Sequence, residues 1–228
     1  LYEDLPIHNQ WDKDGNGINS RWIESPFLNS LLAVECEKCL QIADDYKIDF
    51  PERNWVEDQK TNLINCINDS WNPKQKYFAY RDLQTKKTPG KVLILKKNGS
   101  GIHNLRKKLR SPQRLNVRVI THPELSRKVT VEIKGSLENQ EIIEIIKPRN
   151  FKWSTTTGFF TTENVFESIS SINILGLPDD NSVEISTSQY SIIDLSCFLP
   201  VLLTDNNKRR TQLITEHWLE KEFLSNFG

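Results

Sequence analysis

The hydrophobic period of this chain changes twice, and that change limits the folds open to it. From about Pro26 to Trp71 apolar residues recur at helical spacing. From about Lys91 to Ser188 they alternate in short runs. From about Asp194 the helical spacing returns. A 3.6-residue period gives one buried stripe on a helix, whereas a period of two gives one buried face on a strand. The order helix, β block, helix predicts an α+β protein with an antiparallel β-sandwich inserted into a loop of a helical domain. The predicted boundaries are 1–88 for helices with an N-terminal loop, 89–190 for the sandwich and 191–228 for the return to helix. The chain starts at Leu1 and contains no methionine, which predicts an internal piece of a longer polypeptide. The rest of that polypeptide is then an expected partner.

Local signals support these boundaries. Ser25 can cap a helix, and Pro26 fits its first position, where a missing N–H costs nothing. Leu28, Leu31, Leu32, Cys39, Ile42, Ala43 and Tyr46 fall on one stripe, and the helix should end near Asp45. A second helix opens at Pro51 or Glu52, buries Val56, Leu63, Cys66 and Ile67, and stops at Trp71-Asn72-Pro73. The short link makes the two an antiparallel pair. Six strands are predicted: Val92–Leu95, Leu115–Ile120, Val129–Ile133, Ile142–Ile146, Ile172–Leu175 and Val183–Ser186. They are rich in β-branched residues and separated by turn formers. A short helical segment over Leu195–Leu203 and a last helix over about Asn207–Leu224 close the chain.

Composition excludes several classes. No apolar run approaches the length of a membrane span, so no membrane partner is expected; the expected location is cytoplasmic, with no signal peptide visible in the residues given. Net charge is zero, but residues 91–128 hold eleven Lys or Arg against one acid, Glu124. Clustered cations can bind a polyanion by counterion release. This run holds no Phe, Tyr or Trp, the platforms on which single-stranded bases stack. Nucleic acid is therefore not an expected partner, and a solvated basic edge is the simpler reading. Cys36 and Cys39 form a C-x-x-C inside a helical pattern, with Cys66 and Cys197 scattered elsewhere. Zinc sites want paired turns, so these read as reduced, packed thiols. Asn68-Asp69-Ser70 and Asn98-Gly99-Ser100 match the glycosylation pattern, which matters only in a secreted eukaryotic protein.

The helical parts resemble the six-hairpin, (α/α)6-barrel glycoside hydrolases. The likeness is to mannosylglycerate-hydrolase-like and glycogen-debranching-like members, relatives of trehalase and processing α-glucosidase. It is carried by Glu24-Ser25-Pro26-Phe27-Leu28-Asn29-Ser30-Leu31-Leu32 with Leu40-Gln41-Ile42-Ala43. Trp71 with Tyr77-Phe78-Ala79-Tyr80-Arg81-Asp82 and Phe198-Leu199-Pro200-Val201-Leu202-Leu203 add to it. So do Arg209, Leu213-Ile214 and Phe227-Gly228. The resemblance implies a partial helical barrel and a glycosidase acting on α-glucosides or related sugars. It implies an inverting acid/base pair of carboxylates spaced to admit water. The family's acid precedes the first helix and its base follows the final Phe-Gly. No catalytic residue is carried over, and the fragment alone should be inactive. The alternative is a non-catalytic polyanion- or carbohydrate-binding module using the basic β domain.

Candidate sites follow from residue chemistry. Trp11, Trp22, Tyr80, Arg81 and Asp82, with His8, flank helix ends, and sugar sites pair aromatic faces with forked polar groups. The opposing reading has the aromatics plugging the fold and Arg81 pairing with Asp82. Glu35 lies within the apolar stripe, where a buried charge needs a partner or a substrate. Asp12, Asp14 and Asn16 alternate in a Gly-containing turn. With the Ile18 carbonyl and Glu24 they could hold a structural calcium, although Glu24 comes one residue late for the EF-hand pattern. A plain Asp/Asn/Gly turn is the other reading. No cofactor is required for the chemistry.

Overall fold

The computed structural model describes residues 19–121, 128–154, 156–193, 195–203 and 207–213. In chain order it has strand β1 (Ile23–Glu24), helices α1 (Pro26–Asp45) and α2 (Arg53–Ser70), and short strands β2 (Trp71–Asn72), β3 (Tyr77–Phe78) and β4 (Arg81–Asp82). Next come β5 (Leu93–Asn98), β6 (Gly101–Gln113), β7 (Leu115–Ile120), β8 (Thr130–Leu137) and β9 (Gln140–Ile146). Then follow β10 (Lys152–Ser154), β11 (Thr157–Thr161), β12 (Phe166–Leu175) and β13 (Ser182–Thr187). Helices α3 (Pro200–Leu203) and α4 (Asn207–Leu213) end the described chain. Two compact units result: the described residues of 1–23 with those of 82–191, and the described residues of 24–81 with those of 192–228.

The first unit is a sandwich of two antiparallel sheets. One has the order β10-β11-β7-β13-β5 and the other β6-β12-β8-β9. Alternation decides which side chains enter the core. Val117 and Val119, Val183 and Ile185, and Leu95 come from the five-stranded sheet. Val131 and Ile133, Ile169, Ile172 and Ile174, and Ile146 come from the four-stranded sheet. Ile169 and Ile172 are three apart, a spacing that puts strand residues on opposite faces. Both are buried because the register of β12 slips between Ile169 and Ser171 against β6 and β8. A bulge there adds one residue and resets the phase.

The basic run does not behave as one solvated edge. Strand β6 lies at the margin of its sheet, and Arg106, Lys108 and Arg110 on it are exposed. Charged side chains there discourage strand addition from other molecules. Arg114, from the same run, is among the most buried side chains of the protein. The sequence reading missed β6, β10 and β11. Its six strands are instead nine within the two sheets.

In the second unit Ser25 caps α1 by accepting the Leu28 N–H at 3.3 Å, with Pro26 at the first turn. Lys60 pairs with Glu37 at 3.2 Å, and Arg53 pairs with Asp44. Low numbers on α2 thus meet high numbers on α1, so the helices run antiparallel. Of the predicted stripe only Ala43 is buried. Helix α1 buries Pro26, Ser30, Ala33 and Ala43, whereas Leu28, Leu31, Leu32, Ile42 and Tyr46 are exposed. The buried positions of α1 are thus small residues, and its larger ones are left outside.

These observations correct the (α/α)6-barrel expectation. The described residues hold two long helices and two short ones beside thirteen strands. The architecture is mixed α+β and rich in sheet, and it is not a partial helical barrel.

Candidate functional site

The sandwich unit carries a pocket of about 260 Å³ near the β10–β11 margin of the five-stranded sheet. Three local structures build it. A 3-10 turn at Ser20–Trp22 is capped by the Asn19 side chain, which accepts the Arg21 N–H at 3.2 Å. Asn19 N–H also meets Thr161 Oγ1 at 3.4 Å, and that hydroxyl donates to Asn116 Oδ1 at 3.0 Å. These bonds tie the turn to β11. A second 3-10 turn, Pro148–Asn150, is closed by Lys147 N–H donating to Asn150 Oδ1 at 2.8 Å. Trp153 Nε1 donates to the Pro148 carbonyl at 3.2 Å. Phe151 packs against Trp153 and Phe160. Arg149, Asn150 and Lys152 are thereby presented at the pocket rim.

The lining combines Trp22, Phe159 and Phe160 with Arg21, Arg149 and Lys152. One carboxylate, Glu163, takes part, and it pairs with Arg21 at 3.3 Å on the exposed side. The described lining is therefore mainly polar and positive, and the Trp22 ring lies against the Arg21 and Arg114 guanidinium groups. Its cations and amides can meet hydroxyl or anionic groups of a ligand.

Beside the pocket lies a buried ionic knot. Arg114 Nε donates to Asp82 Oδ2 at 2.9 Å, and its other nitrogens reach Gln84 Oε1 at 3.1 Å and the carbonyls of Thr162 and Glu163. Its guanidinium stacks 3.8 Å from the centre of the Trp22 ring. Asp82 Oδ1 accepts the Gln84 and Thr85 N–H groups at 2.9 and 2.8 Å. The Tyr190 hydroxyl donates to Asp82 Oδ2 at 2.7 Å. Burial, then the adjacent Asp82 carboxylate, push the Tyr190 phenol far above its ordinary pKa. Each charge in this knot is paired, which is what burial of charge requires. Its chemistry is structural: it fixes Trp22 as a wall of the pocket.

Glu144 on β9 is a second buried carboxylate. It accepts the N–H groups of Glu163 and Asn164 at 2.7 and 3.0 Å and the Asn164 amide at 3.0 Å. Burial raises its pKa despite those bonds. The pair of N–H donors holds the turn that carries Glu163.

The sequence candidates separate. Trp22 lines the pocket, and Asp82 stands behind it in the knot with Arg114. In the helical unit, Arg81 bonds Glu24 at 2.6 Å, with both side chains buried. Arg81 thus does not pair with Asp82. Tyr80 is buried and shares a hydrogen bond with the Ser196 hydroxyl. Glu35 is exposed on α1, because the stripe around it is not the buried face. It is not the buried charge that the pattern implied. Trp11, His8, Asp12, Asp14, Asn16 and Ile18 lie outside the described residues. Of the calcium set only Glu24 is described, and its carboxylate is engaged by Arg81. Among the described residues no group of three or more His, Cys, Asp or Glu could hold a metal ion. None of their helices is long and apolar enough to cross a membrane. The cysteines are in the thiol form: Cys197 is buried, Cys36 and Cys66 are half-buried and Cys39 is exposed.

Sequence reasoning missed Arg149, Lys152, Phe159 and Phe160. The adjacent pair Phe159-Phe160 was the available signal, since consecutive aromatics in a strand place one ring on each face. The chain matches no family model and no curated protein. The glycoside hydrolase resemblance therefore gains no support from known families, in keeping with the absence of a helical barrel.

Proposed function

We propose that the sandwich unit is a carbohydrate-binding module whose site is the pocket between the Ser20–Trp22 turn and the β10–β11 margin. One observation carries this reading: three cations, two asparagines and Trp22 line a single pocket on the sheet. Pyranose rings present apolar C–H faces and a hydroxyl rim. Sites that take them combine aromatic surface with a few fixed polar groups. The volume suits one sugar ring, so further residues of a longer glycan would extend onto the open sheet. The exposed basic residues of β6 lie in the other sheet and take no part in this pocket. A glycosidase reading rested on the resemblance corrected above. The described lining supplies one carboxylate where an inverting pair needs two, so binding is the function advanced.

Calorimetric titration of the 228-residue chain with a panel of oligosaccharides tests the proposal. Saturable binding of at least one glycan is expected. Arg149→Ala should weaken it roughly fivefold, the loss of about one surface charge-assisted contact. Absence of binding across the panel, or an affinity unmoved by Arg149→Ala together with Lys152→Ala, contradicts it.

A further inference from the structure

We infer that the glycan is acidic, with one carboxylate or sulfate for every two sugar residues, and that it lies across the outer face of the five-stranded sheet. This rests on the carbohydrate reading above and names the chemical class of its ligand.

The register of the sheet carries the inference. Lys152 stands opposite Phe159, Phe159 opposite Arg118, Arg118 opposite Glu184, and Glu184 opposite Lys96. Residues directly opposed in an antiparallel ladder project on the same face. Their neighbours along the strands, Val117, Val119, Val183, Ile185 and Leu95, fill the core. The row therefore faces outward, and it begins at the pocket, which Lys152 and Phe159 line.

Along this row cations stand on the first, third and fifth strands: Lys152, Arg118 and Lys96. Neighbouring strands lie about 4.8 Å apart, so the cations recur at roughly 10 Å and the row spans roughly 19 Å. That stride is close to the length of a disaccharide. The positions between the cations do not welcome a charge. Phe159 is apolar and buried there, with the Arg118 guanidinium 6.0 Å from its ring centre. Glu184 offers a carboxylate, paired with Lys91 at 3.5 Å and Lys96 at 3.7 Å. A chain with an anionic group on every sugar would set alternate charges over a ring and a carboxylate. A chain charged on every second sugar meets a cation each time and sets an uncharged sugar over the positions between them. Specificity then comes from repulsion as well as attraction.

The test uses the full chain and defined oligosaccharides of equal length. Hyaluronan carries a carboxylate on alternate sugars, and kappa-carrageenan carries a sulfate on alternate sugars. Polygalacturonate carries a carboxylate on each sugar, and cello-oligosaccharide is neutral. One of the two alternating glycans should bind at least tenfold more tightly than polygalacturonate and cello-oligosaccharide, and which one identifies the anionic group. Lys96→Glu and Lys152→Glu should each cost about tenfold in affinity, as expected for one charge-assisted contact. Both lysines are exposed, so their melting curves should match the wild type. Lys108→Glu, on the other sheet, should leave affinity unchanged. Equal binding of the neutral glycan would overturn this inference and leave the carbohydrate reading standing. Preference for polygalacturonate, or an equal loss in Lys108→Glu, would also overturn it. Binding of none of these probes would overturn this inference, and absence of binding across the wider panel would remove the carbohydrate reading as well.

Discussion

The paired sheets of the sandwich and helix α1 treat their apolar residues differently. In the sandwich, Val131, Ile133, Ile172, Ile174 and Val183 are wholly buried. In the helical unit, Leu28, Leu32 and Ile42 are 41%, 44% and 51% exposed. The contrast comes from geometry. Two sheets facing each other give each inward side chain a partner across a shared core. A helix buries only a narrow stripe, and on α1 that stripe holds the small residues Ser30, Ala33 and Ala43. The sandwich thus holds its pocket on a close-packed base. The described helices offer no comparable base for a site.

Stability measurements can break this comparison. The largest effect is expected for Asp82→Ala, which leaves Arg114 buried without its carboxylate. Removing one partner of a buried pair costs about 3–5 kcal/mol, to be read from urea unfolding. A loss under about 1 kcal/mol would mean that water reaches the knot.

Gly135→Ala comes next. A Cβ there would intrude on the Ser168 carbonyl and lie 2.8 Å from the Phe166 ring. Overpacking of this kind costs roughly 1–3 kcal/mol. A neutral substitution would show that the bulged part of β12 can shift.

Glu144 sharpens the comparison through pH. Its folded pKa is raised by burial, so the folded state holds the proton more firmly than the unfolded chain. Above the ordinary carboxylate range, stability from this residue falls as pH rises, and it levels off beyond the folded pKa. Urea midpoints of the wild type should therefore decline toward those of Glu144→Gln across that interval. Parallel curves would contradict the assignment.

The smallest effect belongs to the helical unit. Leu32→Ala should change stability by less than about 0.5 kcal/mol, as for other exposed positions. A loss of 2 kcal/mol or more, the range for a buried leucine, would show that the stripe is covered in solution.

Much of the fold was legible where one period decided everything. Ser25, Pro26 and Asp45 bound α1 as their chemistry requires. Leu115–Ile120 forms a strand over the predicted residues, because Leu115, Val117 and Val119 alternate with polar neighbours. Strand β6 was not legible, since an exposed margin strand with Arg106, Lys108 and Arg110 resembles a solvated loop. The buried face of α1 was misread because the stripe of large residues is not the seam. The site was least legible. Trp22 was picked out as an aromatic at an element end, but Lys152, Arg118 and Lys96 are 34 and 22 residues apart along the chain. Only strand pairing puts them in one row. Asp82 and Arg114 likewise carry no local sign that they are partners.

The central claim is that the sandwich face, and not the exposed helical stripe, is the functional surface. Amide chemical-shift mapping of the 228-residue chain during titration with an alternating acidic oligosaccharide tests it directly. Saturable shifts are predicted at Arg21, Trp22, Asn150, Lys152, Phe159 and Arg118, with α1 and α2 unmoved. Shifts centred on Leu28, Leu32 and Ile42, or no saturable shift at all, would contradict it.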